Sequence, residues 1–122
     1  MPFKTILCEK SDLVIHEGHG SISHEDIRVE LSTCFGESGW VCHSLWDLRD
    51  ANLKLLSSEQ VRALAEDAKV YALKKTGKKN AWVASSPADF GLCRMSEIVA
   101  DGAGLRLGVF YDFDEAMTWI QS

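Results

Sequence analysis

Nothing in this chain reads as a membrane span, because no uncharged apolar run approaches the roughly 20 residues that a bilayer demands. The opening Met-Pro-Phe-Lys lacks a charged lead before a long apolar stretch, so a signal peptide is not expected. A basic excess is missing too. With 13 Lys and Arg against 18 Asp and Glu, the formal net charge is −5, which argues against general nucleic-acid binding. The four cysteines, at 8, 34, 42 and 93, form no CxxC pair and no zinc-ribbon spacing. Each sits in or beside an apolar run and reads as a reduced, buried thiol. There is no phosphate loop, no HExxH helix and no nucleophile elbow. These absences remove the motif grounds for nucleotide binding, metalloprotease chemistry and serine hydrolysis. The expectation is a cytoplasmic, non-enzymatic domain with no cofactor and no metal.

What is present is a complete set of α/β signals. The 122 residues are 46% hydrophobic and 25% charged, enough for one domain with a real core. Phe3 to Cys8 and Leu13 to His16 read as a hairpin, with Gly18 to Ser21 as loop. Ser23 caps a helix over 24–35, with Asp26 in the third position of a capping box, and Ile27 and Leu31 on its buried face. Val41 to Leu48 reads as a strand buried on both faces. Ser57 and Gln60 open a helix over 58–76. Ala81 to Ala84 reads as a short apolar strand, Ser86-Pro87 as the start of a helix over 87–101. Leu105 to Phe110 is a strand nearer the edge, and Asp112 with Glu115 caps a last helix over 113–121. The order β-β-α-β-α-β-α-β-α implies a single α/β domain, with a five-stranded, mixed and mostly parallel sheet and four helices.

Several blocks in this order carry a resemblance: Trp46-Asp47-Leu48-Arg49-Asp50-Ala51, Leu56-Ser57-Ser58-Glu59, Phe90-Gly91-Leu92 with Arg94-Met95, and Val109-Phe110-Tyr111-Asp112 with Glu115-Ala116 and Trp119-Ile120. The chain resembles the SpoIIAA-like, STAS-related bacterial family, also called SEC14-like, over nearly its whole length. That resemblance implies a compact α/β domain, often of no assigned activity. Better-known relatives are anti-anti-sigma factors switched by phosphorylation of a serine at a helix N-terminus. Others are regulatory modules beside anion transporters. Ser57 and Ser58 occupy the corresponding place, but Glu59 sets a carboxylate beside them and the Asp-Ser-Ser-Gly surroundings of that switch are absent. The SEC14-like name implies lipid binding, for which this chain is too small to enclose a full tail.

The candidate site lies where the parallel strands exit, the usual place for ligands in α/β folds. Asp47, Arg49, Asp50, Ser57, Ser58, Asp89 and Arg94 are the residues brought forward, with Ser85, Ser86, Tyr111 and Asp112 nearby. They could form a polar pocket or a docking edge. Alternatively, Arg94 pairs with Asp47 or Asp50 as a buried ion pair and the rest are helix caps. His16, His19 and His24 with Glu17 and Glu25 could supply metal ligands, although Gly18 and Gly20 argue for a loop without fixed geometry. His43 reads as a satisfied sheet residue. The lysines around Thr76-Gly77 read as a solvated helix end. Trp119 is the tryptophan expected to be exposed. Leu53, Leu55 and Leu56 are costly to expose unless packed or bound. The reading is a regulatory or protein-interaction domain using the edge around Asp47–Ser58. A small-molecule binder with a pocket beside Arg94, for an apolar or anionic ligand, is the alternative, and the phosphoswitch a third. The partner is an unknown protein or small ligand, and a homodimer is left open.

Overall fold

A computed structural model describes residues 2–35, 42–72, 78–102 and 106–122. It contains β1 (Phe3–Cys8), a 3-10 turn (Glu9–Ser11), β2 (Leu13–Ser21), α1 (His24–Phe35), β3 (His43–Asn52), α2 (Ser58–Ala72), β4 (Lys79–Val83), α3 (Pro87–Gly102), β5 (Arg106–Phe110) and α4 (Phe113–Gln121). The expected order holds. Trp40, Thr76-Gly77 and Leu105 lie outside the described residues, as do the side chains of Cys34, Phe35, Ala65, Ala68 and Ala72.

Each helix starts where its cap dictates. Ser23 Oγ accepts from Asp26 N at 3.1 Å while Ser23 N donates back to Asp26 at 3.0 Å. Ser57 and Gln60 make the same reciprocal pair at 3.1 and 3.0 Å. Ser86 Oγ accepts from Asp89 N at 3.1 Å, directly ahead of Pro87. These bonds satisfy backbone donors that the first helical turn leaves orphaned. At α4 the cap is simpler than expected: Asp112 accepts from Asp114 N at 2.8 Å, with no reciprocal bond from Glu115.

The sheet order is β1-β2-β3-β4-β5, antiparallel only between β1 and β2. Because β2 through β5 advance in one direction, right-handed crossovers put α1, α2 and α3 on the same face. Their apolar stripes, including Ile27, Leu31, Val61, Leu64 and Cys93, pack there against Trp46, Leu48, Trp82 and Val109. Past the edge strand β5 the chain folds back beneath the sheet. Ala116 and Ile120 of α4 cover Leu45, Ala81 and Val83 on the opposite face.

Two strands run longer than their glycines and polar residues imply. Gly18 to Ser21 is strand, not loop, since β2 pairs with β3 out to Ser21↔Asn52 and His19 N donates to Pro2 O at 2.9 Å. Gly18 has little room for a side chain: a Cβ there would stand 2.7 Å from Ile22 Cδ1 and 3.1 Å from the Phe3 ring, so those side chains would have to shift. β4 starts at Lys79, two residues before its apolar run. Lys79 is only 5% exposed, yet its ammonium donates to Trp119 O, Ser122 O and Ser122 Oγ, each at 2.8 Å. A buried cation is tolerated because all its protons are taken, and it caps the carbonyl end of α4.

Candidate functional site

The exits of β3, β4 and β5 converge around Arg49. The pairing of β2 with β3 shifts register between Glu17↔Asp47 and His19↔Asp50, so β3 carries one extra residue, and such bulges re-aim side chains. Asp47, 7% exposed, receives Arg49 Nε on Oδ1 at 2.8 Å, Nη2 on Oδ2 at 2.9 Å and the Arg49 backbone N–H at 3.2 Å. The guanidinium also lies over the Phe113 ring, 4.8 Å from its centroid. Ser85 Oγ donates to Arg49 O at 3.1 Å, tying β3 to the start of α3. The cation is thus clamped between a fork-matched carboxylate and an aromatic face.

Burial pushes the Asp47 carboxyl up, but the hydrogen bonds and charge of Arg49, helped by His19, outweigh it and hold the pKa below the usual range. The Asp47 bonds raise Arg49 further, against a smaller opposing effect of burial. A depressed carboxylate stabilises the fold above its unfolded pKa and loses that contribution as pH falls through its folded value. The Arg49 side chain is 46% exposed, so water screens the pair, and Arg49→Ala should lower stability at neutral pH by only about 0.5–1 kcal/mol. The gap to wild type should close on acidification below the folded pKa of Asp47, when the carboxylate is neutral in both proteins. Urea denaturation across this range checks it, and a gap that persists in acid would show that Arg49 acts through packing on Phe113 alone.

Around this clamp the rim is acidic and exposed. His19 and Glu17 pair at 2.9 Å, and Asp50 lies 4.0 Å from the other ring nitrogen. The proposed histidine cluster is not assembled: His16 is fully buried under the helices, whereas His19 is on the exposed exit. No group of three His, Cys, Asp or Glu among the described residues could hold a metal.

The other expected residues are placed as follows. Ser57 and Ser58 are both exposed at the start of α2, with Ser57 committed to its cap. Asp89 is half-buried in the first turn of α3. Burial, and secondarily the charge of Asp89, pushes the Cys93 thiol up to about 12, which makes it inert near neutrality. Arg94 is exposed on α3, so the expected buried pair is corrected: the arginine that meets Asp47 is Arg49. A side chain two positions along a strand returns to the same face, and the fork geometry needs no help from another element. Trp119 is partly exposed, more so than the buried Trp46 and Trp82, and it packs on Phe110 at 5.5 Å and beside Lys79. His43 is satisfied as expected, its Nδ1 accepting from Lys79 N at 2.8 Å. Of the three leucines after β3, Leu53 and Leu56 are buried and only Leu55 projects, 60% exposed.

One constellation escaped the sequence reading. On the helix-covered face, Glu30 Oε2 accepts from Thr5 Oγ1 at 2.6 Å and is 2.7 Å from His16 Nδ1. The imidazole stacks on Trp46 at 4.1 Å, and Trp46 on Trp82 at 5.6 Å. The one signal available was Glu30 at i+3 from Ile27 on the apolar stripe of α1, a charge placed to point inward.

No protein-family model and no curated protein matches the chain significantly. Among solved structures it is similar to an uncharacterised DUF3478-family protein with a SpoIIAA-like fold from Shewanella loihica PV-4. The identity is 16% and the TM-score 0.54, over 97% of this chain and 91% of that one. No helix among the described residues is long and apolar enough to cross a membrane. With one antiparallel pair, three parallel pairs and four helices in this order, the chain has a SpoIIAA-like fold.

Proposed function

We propose that this is a non-enzymatic regulatory domain that docks a protein partner on the strand-exit edge between Asp47 and Ser58. The observation that carries the reading is Leu55. The turn that bears it is held at both ends, because Lys54 N donates to Asn52 Oδ1 at 3.0 Å and Leu56 N to Leu53 O at 3.0 Å. Leu53 and Leu56 anchor it in the core. Between those anchors Leu55 is kept in water by an ordered backbone, the most exposed of the large apolar side chains among the described residues, and contact with a partner would remove its apolar surface from water. Arg49 and Asp50 lie three to five residues before the turn, and Ser57 and Ser58 follow it, which supplies a polar rim around the apolar point.

Leu55→Asp should leave the melting temperature nearly unchanged, since the side chain packs little, while abolishing recovery of the partner. Quantitative cross-linking in cells of the natural source, comparing wild type with Leu55→Asp and with the remote Arg28→Ala, reads this out. The same cross-linked species at equal yield from all three would end the proposal.

A further inference from the structure

The charge of the molecule is divided end from end. The four strand-to-helix junctions, residues 17–26, 47–60, 84–90 and 110–115, carry ten carboxylates and two cations, Arg49 and Lys54. That is a formal −8 in a chain whose total is −5. First-turn carboxylates complement the helix dipoles, and a parallel sheet gathers all four helix N-termini at one end. The consequence is an end that repels nucleic acid and anionic membrane alike and attracts cationic protein segments.

Within this end an aromatic ledge faces water. Tyr111 is 49% exposed and stacks one ring face on Phe90 at 4.0 Å, the planes inclined by only 6°. Asp89 and Asp112 adjoin the two rings in sequence. The molecule already uses this combination internally: Arg49 covers Phe113 while bonded to Asp47, with Asp50 and Asp114 adding charge. At Tyr111 no cation covers the ring among the described contacts.

We infer that the Phe90–Tyr111 ledge receives an arginine-bearing segment of the protein partner, a guanidinium stacking on the outer face of Tyr111 among the surrounding carboxylates. The inference rests on the strand-exit docking proposed above and names the chemistry of its partner. A planar guanidinium suits the ledge better than an ammonium, since it stacks as well as attracts.

The test uses a capped octapeptide of alternating Arg and Leu, titrated into isotopically labelled protein and followed by amide chemical shifts. Shifts should cluster at residues 89–91 and 110–113 and weaken with added salt. Tyr111→Leu keeps an apolar contact with Phe90 but removes the ring face, and it should raise Kd about threefold to fivefold. Asp112→Asn keeps the helix cap and should also weaken binding. Asp67→Asn, an equal charge loss on the side of α2, should not. The same peptide with citrulline for arginine should not bind. The inference is overturned if shifts fall elsewhere, if Tyr111→Leu binds as wild type, or if the citrulline peptide binds equally well. Concentration-dependent shifts without peptide would assign the ledge to a second copy of this chain and overturn it as well. If Leu55→Asp abolishes partner cross-linking while Tyr111→Leu does not, the docking edge stands and the arginine ledge falls.

Discussion

Trp46→Ala is expected to lower stability by about 3–5 kcal/mol, the range for removing a large aromatic side chain from a packed core. Against a typical total of about 5–15 kcal/mol, that leaves a marginal fold. Trp46 is 2% exposed and sits at the centre of the helix-covered face. Phe3 meets it edge-on at 5.4 Å, His16 stacks at 4.1 Å and Trp82 at 5.6 Å. No neighbour can fill the space, since each belongs to a different strand held in register by the ladder. Trp46→Phe, which keeps a ring in contact with both stacking partners, should cost clearly less. Urea denaturation at constant slope distinguishes the two variants. Equal midpoints for Trp46→Ala and wild type would mean that this face is not the mechanical centre of the fold.

The second large effect concerns His16 and Glu30. His16→Ala removes the imidazole from Glu30 Oε2 and from the Trp46 ring together. Removing one partner of a buried hydrogen bond costs about 1–3 kcal/mol, because the remaining group stays in a poorly solvating interior, and the space opened beside Trp46 adds to that loss. Replacing both residues by leucine should restore a large part of the loss, since a matched apolar pair leaves neither hydrogen-bond partner stranded. The cycle of His16→Leu, Glu30→Leu and the double leucine variant reads the coupling, expected at about 1–3 kcal/mol. Strictly additive losses would show that His16 and Glu30 contribute separately, the first through Trp46 and the second through Thr5.

The helix starts were legible because a cap is a local event. Ser23 with Asp26, Ser57 with Gln60, and Ser86 with Pro87 solve a hydrogen-bonding problem inside four residues, so the spacing in the chain states the answer. The exit site was legible in part for the same reason. Asp47, Arg49 and Asp50 are close in sequence and remain together in space. Arg94, expected in a buried pair from another element, is exposed on α3, because position along a helix does not tell how deeply its side chain will be covered.

By itself, then, the sequence determined the α/β class, the order of nine elements and the capped start of each helix, all matters of short-range hydrogen bonding and apolar period. The tertiary structure decided what depends on distant partners. Glycine-rich Gly18–Ser21 became strand because β3 and Pro2 supplied its hydrogen bonds. Lys79 became a buried cation because the end of α4 offered three acceptors. His16 left the metal-like cluster of its neighbours because strand alternation turned it inward onto Trp46 and Glu30. Leu55 stayed in water because its two neighbouring leucines, not itself, reached the core. In each case the chain carried the residue, but its environment was set by atoms far away in sequence, where burial and unsatisfied hydrogen bonds outweigh local propensity.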